Sequence, residues 1–197
     1  MLVRPHHRDE KHSCAPSIPP CSNAVMLDLT EVRTILSSTP AALRQLAGSV
    51  SGAALEFRES PDAWTVREVL CHLADGEIAD WIPRIGIILS NRPETPFAPF
   101  DREAGFDRYC GWSAAALLDE FDRLRAASVT CLSHFAIGPA DLARTGIHPE
   151  FGPVTLEQLI ACWVTHDFAH LAQISRILVR HFGREVGPWS KYFSLLR

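Results

Sequence analysis

Two histidines, His166 and His170, stand four residues apart in the last apolar stretch of the chain. Thr155 and Gln158 have the spacing of a capping box, and apolar residues recur at helical intervals from Leu159 onward, which predicts a helix. Residues four apart lie on the same face of a helix, one turn above the other. Because that face is the apolar one, the pair is either half of a metal site or two hydrogen-bonded core histidines.

A third histidine, His72, falls on an earlier predicted helix, on the same stripe as Val69 and Gly76. Alone, it has the features of a hydrogen-bonded core residue. With His166 and His170 it makes three histidines on two helices, and three imidazoles that leave a coordination position open are typical of a catalytic metal site. Such a set suits Zn, Ni or Fe(II), and the residue types do not select one of them.

Two polar residues beside the pair are candidate catalytic side chains. Gln173 follows His170 by three residues, so it faces the same side of the helix. It either orients a metal-bound water or the substrate, or makes an ordinary hydrogen bond between helices. Asp167 either accepts a hydrogen bond from a ligand imidazole or pairs with an arginine at the surface.

Two further residues near the last helix each leave two interpretations. Cys162 lies one turn before His166 and is either a fourth ligand or a buried, unreactive thiol. His148, in the preceding loop, either gates a pocket or caps a turn. The chain shows no Ser–His–Asp order and no phosphate-binding loop that would indicate a different chemistry.

The composition predicts one globular domain and argues against some partners. The chain has 197 residues, 47% of them hydrophobic, which is enough to bury a core. A net charge of -4 argues against nucleic acid, and no apolar run approaches the ~20 residues of a membrane span. The six cysteines form no CxxC pair, so we expect mostly buried free thiols in a reducing compartment and a cytoplasmic protein.

Helical periodicity dominates the chain after its first 25 residues. Helices are predicted over residues 29–47, 65–90, 113–135 and 155–182, joined by long connections over residues 91–112 and 138–152. Pro40 allows the first helix to be two pieces, and Pro83 is expected to kink the second. No strand pattern of period two is apparent. The pattern predicts an all-α four-helix bundle, a fold that builds metal sites in its core.

Residues 1–25 differ from the rest of the chain. They contain four prolines and three histidines, with little periodicity and without the apolar segment of a secretory signal. We expect a disordered tail here and a folded domain over residues 26–197, with Met26 as a candidate initiator.

Three segments, in order along the chain, resemble motifs of the DinB-like superfamily, which includes the YfiT-like four-helix proteins. They are WTVREVLCHLADGE at residues 64–77, HPEFGPVTL at 148–156 and HDFAHLAQI at 166–174. The resemblance extends over residues 27–192. It implies a four-helix bundle with long crossover links, a divalent metal held by His72, His166 and His170, and frequent homodimers.

The resemblance implies an activity on a small molecule but does not fix the reaction. Members of the superfamily include glutathione-, mycothiol- and bacillithiol-dependent transferases and isomerases, and many are labelled metal-dependent hydrolases. We therefore expect either a hydrolase or a transferase that uses a low-molecular-weight thiol as cosubstrate. The alternative is a metal-binding stress or interaction module without catalysis.

A homodimer is also expected. Trp81, Ile85, Ile88 and Leu89 are apolar residues that the four helical stripes do not need, and a second copy often covers such a surface. In the alternative, the connection over residues 91–112 folds over them with its phenylalanines. The family resemblance favours the dimer.

Overall fold

The structure, a computed structural model, describes residues 27–50, 52–90, 92 and 94–197, so the prediction for residues 1–25 lies outside it. Helices make up most of the described chain. Its α-helices and β-strands are α1 (Leu29–Ala47), α2 (Val66–Ala79), α3 (Trp81–Leu89), α4 (Ala104–Arg108), α5 (Ala114–His134), β1 (Thr145–His148), β2 (Gly152–Thr155) and α6 (Leu156–Gly183). Short 3-10 helices cover Gly52–Ala54, Asp141–Ala143, Gly187–Tyr192 and Ser194–Leu196. Within this part of the chain no helix is both long enough and apolar enough to cross a membrane.

The long helical segments pack side by side as a bundle. Both α1 and α2 lie against α5 and α6, so helices that follow one another in the chain are not the principal neighbours. Long connections are needed to link them. One core cluster includes Leu70, Phe121 and Ile174, and a second includes Ile88 and Trp163. The predicted all-α four-helix bundle with long crossover links is confirmed.

The helix starts are set by local hydrogen bonds. The Thr65 side chain accepts from the Glu68 N–H at 3.1 Å, and the Glu68 carboxylate accepts from the Thr65 N–H at 2.8 Å. Thr155 and Gln158 form the same reciprocal pair at the start of α6. Both predicted capping boxes are confirmed, and caps of this kind stabilise a helix by about 1 kcal/mol each.

Pro40 does not divide α1. A proline nitrogen has no hydrogen to donate to the carbonyl four residues earlier, here that of Leu36. Arg125 of α5 donates to this carbonyl through Nη1 at 3.0 Å instead. The helix is therefore continuous from Leu29 to Ala47, and the two-piece alternative is wrong.

Pro83 lies in the first turn of α3, directly after a break that separates α3 from α2. Its ring removes the hydrogen bond to the Ala79 carbonyl and crowds that oxygen. The chain leaves helical geometry at Asp80, where φ is -111° and ψ is -72°. The predicted kink is thus a break between α2 and α3, three residues before the proline.

A two-stranded antiparallel hairpin occupies part of the second long connection, where no strand was predicted. It pairs His148 with Gly152, whose φ of +71° is readily adopted only by glycine. Each strand has only four residues, too few for an alternating pattern to stand out in the sequence. The Phe97 N–H donates to the Ile147 carbonyl at 2.9 Å, which ties the first long connection to the hairpin.

The first long connection covers the apolar face of α3. Trp81, Ile85 and Ile88 are buried in one cluster with Phe97 from that connection. The premise of the dimer prediction, an apolar face left open here, is therefore wrong, and the alternative that the connection folds over α3 is right. A homodimer stays a prediction that rests on the family resemblance.

The cysteine prediction needs correction. Among the described cysteines Cys71 is buried, whereas Cys110, Cys131 and Cys162 are exposed. All four are free thiols, as expected. Cys110 lies in the turn between α4 and α5, whereas Cys131 and Cys162 lie on α5 and α6 next to buried residues of the apolar stripes. Helical periodicity does not separate buried from exposed positions at the edge of a stripe.

A buried ion-pair network joins all four helical segments of the bundle. Arg125 of α5 is 1% exposed and donates through Nη2 to Asp167 of α6 at 2.9 Å and to Glu77 of α2 at 2.8 Å. Its Nη1 reaches Asp167 and the Leu36 carbonyl of α1, and Thr39 of α1 donates to Asp167 at 2.6 Å. Burial lowers the pKa of Arg125, but the hydrogen bonds and charges of Asp167 and Glu77 outweigh burial and raise it.

Replacing Arg125 with methionine is expected to destabilise the protein strongly. The variant Arg125→Met keeps an apolar stem but leaves two carboxylates buried without a cation, which costs about 3–5 kcal/mol. Denaturant unfolding measures the change in the free energy of unfolding. The matched control is Arg123→Met on the same helix, where the arginine is exposed and pairs with Glu120. If the two variants were equally stable, the buried ion pairs of Arg125 would not be important for the stability of the bundle.

Candidate metal centre

Three imidazoles meet between α2 and α6. His72 is 2% exposed and His170 8% exposed, while His166 is partly buried. The Nε2 atom of His166 lies 3.0 Å from Nε2 of His72 and 3.1 Å from Nε2 of His170. The structure therefore brings together the three histidines that the sequence singled out, and their candidate ligand atoms all lie within 4.8 Å of one another.

Hydrogen bonds behind the rings determine which nitrogen faces the centre. Nδ1 of His72 lies 3.0 Å from the Arg102 carbonyl oxygen, which can only accept, so this nitrogen carries the hydrogen. Nδ1 of His170 donates in the same way to Oε1 of Gln173 at 2.8 Å. The Nε2 atoms of His72 and His170 therefore present lone pairs to the centre. Nδ1 of His166 is buried and has no hydrogen-bond partner among the described residues.

The three nitrogens fit a divalent transition metal. Nε2 of His166 can carry one hydrogen, which cannot make two well-aligned bonds to lone pairs on separate rings. A cation between the rings satisfies all three lone pairs at once. Two nitrogen ligands about 2.1 Å from one ion, at angles of about 90–109°, stand roughly 3.0–3.4 Å apart. The distances from Nε2 of His166 to Nε2 of His72 and of His170 fall in that range. Three neutral imidazoles suit Zn, Ni or Fe(II).

Burial keeps the imidazoles in the neutral form that binds metals. Loss of solvent lowers the pKa of His72 to about 4 and that of His166 to about 2, and the neighbouring His170 acts in the same direction. Burial also lowers the pKa of His170, against the hydrogen bond to Gln173, which raises it. A ligand that is already deprotonated need not release a proton when a metal binds.

The helices α4 and α2 lie very close together at Gly105, and this contact brings the Arg102 carbonyl near His72. A Cβ atom at Gly105 would stand 2.6 Å from the Cys71 carbonyl oxygen, too close for any other residue without a shift of the backbone. The glycine allows the connection to lie directly on α2. That position brings the Arg102 carbonyl onto Nδ1 of His72.

Aromatic rings surround the imidazoles. The Trp64 ring lies 4.9 Å from that of His72 and nearly parallel to that of His170 at 6.4 Å. The Trp81 ring meets His166 edge-on at 5.1 Å. These contacts restrict the orientations of the imidazole rings. They depend on how helices pack, and no motif in the sequence indicates them.

A cavity of about 610 Å³ opens onto His72 and His166. This volume is typical of small-molecule sites. Much of its wall is apolar, with Phe97, Phe100 and Leu159 among the lining residues. Asp80 and Arg84 also line it. Sequence reasoning missed both, although their i, i+4 spacing across Pro83 is visible in the chain.

The two candidate catalytic residues lie in different places. Gln173 accepts from the His170 imidazole on its own helix, so it orients that ring and does not bridge helices. Asp167 is hydrogen-bonded to Thr39 and Arg125, and within the described part of the chain none of its hydrogen bonds reaches an imidazole. The expected pairing of Asp167 with an arginine is present, but it is buried and not at the surface. We therefore assign Asp167 to the buried network.

His148 and Cys162 both line the cavity. Nδ1 of His148 accepts from the backbone N–H groups of Glu150 and Phe151, at 3.2 and 3.3 Å, so the side chain caps the hairpin turn as one interpretation proposed. Cys162 is an exposed residue outside the three-histidine cluster, so it is neither the fourth ligand nor the buried thiol that was considered. Partial burial raises the pKa of its thiol.

Two proteins of similar sequence come from bacteria. YfiT of Bacillus subtilis (strain 168), named "Putative metal-dependent hydrolase YfiT", is 28% identical over 150 residues, which cover 73% of this chain and 80% of YfiT. A relative from Oceanobacillus iheyensis with the same descriptive name is 25% identical over 147 residues, covering 74% of this chain and 83% of the relative.

The fold and the family agree with these similarities. A solved structure of YfiT from Bacillus subtilis, described as "a probable metal-dependent hydrolase with an unusual four-helix bundle topology", matches this chain with a TM-score of 0.66 and 26% identity. The match covers 78% of this chain and 87% of that chain. Residues 35–174 match the sequence profile of the DinB superfamily. Because that match spans well over half of the chain, the protein belongs to the DinB superfamily.

Proposed function

We propose that the protein is a metal-dependent hydrolase of small molecules, with one divalent metal held by His72, His166 and His170. The observation that carries the proposal is the cavity of about 610 Å³ that reaches two of the three imidazoles. A structural metal site is usually closed by four protein ligands, whereas a catalytic site keeps a position for water or substrate. The names of the two bacterial relatives support a hydrolase.

The protein side chains prepare this site before any substrate enters. His72 and His170 hold their hydrogens on Nδ1, against the Arg102 carbonyl and Gln173, and keep Nε2 free. A divalent ion bound there supplies an activated water molecule and polarises a carbonyl group. Trp64 and Trp81 keep the imidazole rings in place and limit access of bulk water. In this role Gln173 is a positioning residue that acts through His170.

Two other functions use the same cluster. A thiol-dependent transferase would replace water by a low-molecular-weight thiol, and it needs a second binding site for the rest of that thiol. A metal-binding module without catalysis needs no ligand-sized cavity. Hydrolysis requires only the metal-binding histidine cluster, one cavity and water. It therefore accounts for the observed cluster and cavity without a second binding site.

The first test is metal content. Protein purified without chelator is expected to contain about one transition-metal ion per chain by elemental analysis. His72→Ala and His166→Ala each remove one of three ligands, so both are expected to lower metal content or affinity by at least about tenfold. The matched control is His134→Ala, at the exposed end of α5, which is expected to keep the metal. If the wild-type protein took up no transition metal on titration, the proposal that the three histidines bind a metal would be wrong.

The second test is turnover. Metal-loaded protein is assayed against panels of esters, amides and pairs of a thiol with an electrophile. We expect hydrolysis that disappears with chelator and falls at least about a hundredfold in His166→Ala. Turnover only in the presence of a thiol would establish the transferase. Metal binding without any turnover would support the non-catalytic module.

The third test concerns Gln173. Gln173→Leu removes the acceptor for the His170 N–H, and loss of such a hydrogen bond typically weakens metal affinity by about 10–100-fold. Gln173→Glu retains an acceptor and is expected to restore affinity. Metal titration monitored by calorimetry distinguishes the two variants, with thermal unfolding as the control for folding. If both variants bind metal as the wild type does, Gln173 does not position His170.

A further inference from the structure

The cavity beside the histidine cluster contains an arginine and an aspartate on a largely apolar wall. Arg84 lies on α3, and Asp80 lies at the break between α2 and α3. Their side chains are only 10% and 9% exposed, and Nε of Arg84 lies 2.6 Å from Oδ1 of Asp80. Both residues line the same cavity as His72 and His166. Charged groups are rarely buried to this extent unless their hydrogen bonds are made.

The hydrogen bonds of Arg84 are largely unmade, in contrast to those of Arg125. Nη1 and Nη2 of Arg125 donate four hydrogen bonds to carboxylate and carbonyl oxygens. Arg84 makes a single hydrogen bond within the described residues, from Nη2 to the Ala98 carbonyl at a long 3.4 Å. Its Nε and the neighbouring Asp80 Oδ1 are close but not aligned, and neither has a hydrogen-bond partner there. A guanidinium has five N–H groups, so most of those on Arg84 are available to a ligand.

We propose that Arg84 binds a carboxylate of the small-molecule substrate, so that the protein acts on amphiphilic substrates with an anionic end. A guanidinium matches a carboxylate through two parallel hydrogen bonds, and burial strengthens such a contact. A doubly charged phosphate would call for more cationic donors than this wall provides. The placement of the reacting group at the histidine cluster rests on the proposed function, whereas carboxylate binding by Arg84 can be measured without it.

The cavity also indicates the shape of the substrate between its two ends. Asp80 follows His72 by eight residues, which corresponds to about 12 Å along a helix. The wall includes Phe97 and Phe100. An aromatic or branched aliphatic body fits such a surface. The substrate class is therefore an acyl compound with an apolar body and a carboxylate roughly one body length from the bond that is hydrolysed.

The carboxylate of Asp80 would compete with a ligand carboxylate for the guanidinium of Arg84. Its carboxylate occupies one side of the guanidinium without forming an aligned bond. Burial raises the pKa of Asp80 to about 6, against the opposing charge of Arg84, and Glu77 adds to the increase. An incoming carboxylate must share Arg84 with this group. Removing the negative charge of Asp80 should therefore strengthen binding of an anionic ligand, whereas removing the charge of Arg84 should weaken it.

The experiment compares two probes of similar shape that differ only in the terminal group, the carboxylate of 4-phenylbutyrate and the neutral amide of 4-phenylbutanamide. Calorimetry at pH 7.5 measures their affinities for metal-loaded protein of known metal content and for chelator-treated protein. In wild type the carboxylate is expected to bind at least about tenfold more tightly than the amide in both forms. Arg84→Met should abolish the preference, Arg84→Lys should keep part of it, and Asp80→Asn should increase it several-fold. Arg123→Met, on the exposed surface of α5, should leave it unchanged.

The opposite signs expected for Asp80→Asn and Arg84→Met separate recognition from misfolding, since damage to the fold would weaken both. A preference that persists in Arg84→Met and disappears with chelator would place the carboxylate on the metal and overturn the proposal. Equal affinities of the two probes, or no binding of either, would also overturn it. If the protein takes up no metal but keeps an Arg84-dependent preference, the proposed hydrolase fails while the carboxylate site stands.

Discussion

The guanidinium of Arg125 is the point on which the bundle depends. It contacts Glu77 on α2, Asp167 on α6 and the Leu36 carbonyl on α1, so one side chain fixes three helices relative to its own. Two of these contacts lie close to the imidazoles in the chain, because Asp167 follows His166 directly and Glu77 follows His72 by five residues. A guanidinium accepts little misalignment of its partners. A slide of α2 or α6 that separated the imidazoles would therefore also break this network, which links the geometry of the cluster to the stability of the core.

The same network affects the electrostatics of the site. It contains one arginine and two carboxylates, all nearly inaccessible to solvent, so its formal charge is negative. Buried charge without compensation is costly, and a divalent cation at the adjoining histidines would offset it. The hydroxyl of Thr39 donates to Asp167 and the indole N–H of Trp163 donates to Glu77, and these hydrogen bonds reduce the cost of burying the two carboxylates. The Arg125 network, which stabilises the bundle, would therefore also favour a cation at the histidine cluster.

Local chemistry in the sequence was sufficient for the four long helical segments and for the three histidines, but not for the separation of α2 from α3 or for the short helix α4. Capping boxes at Thr65 and Thr155 depend on residues three apart, and the four-residue spacing of His166 and His170 depends on one helix. What could not be predicted depends on contacts between distant segments. The hairpin strands are stabilised by the connection at Phe97, and the assignment of Asp167 required knowing that Arg125 points into the core. No sequence pattern indicates the unmade hydrogen bonds of Arg84, because they depend on which of the described residues lie near it in three dimensions.

The position of Arg84 follows from the proline that precedes it. Pro83 cannot donate to the Ala79 carbonyl, and the helix breaks at Asp80, after which α3 begins at Trp81. Without the break, α2 and α3 would form one straight helix, and the residues after Asp80 would follow the stripe that contains His72. In the structure, Ile85 and Ile88 of α3 pack in one cluster with Phe97 of the first long connection, while Arg84 lines the cavity. The break beside Pro83 is therefore part of the local structure that places Arg84 in the cavity wall, where its Nε has no hydrogen-bond partner among the described residues.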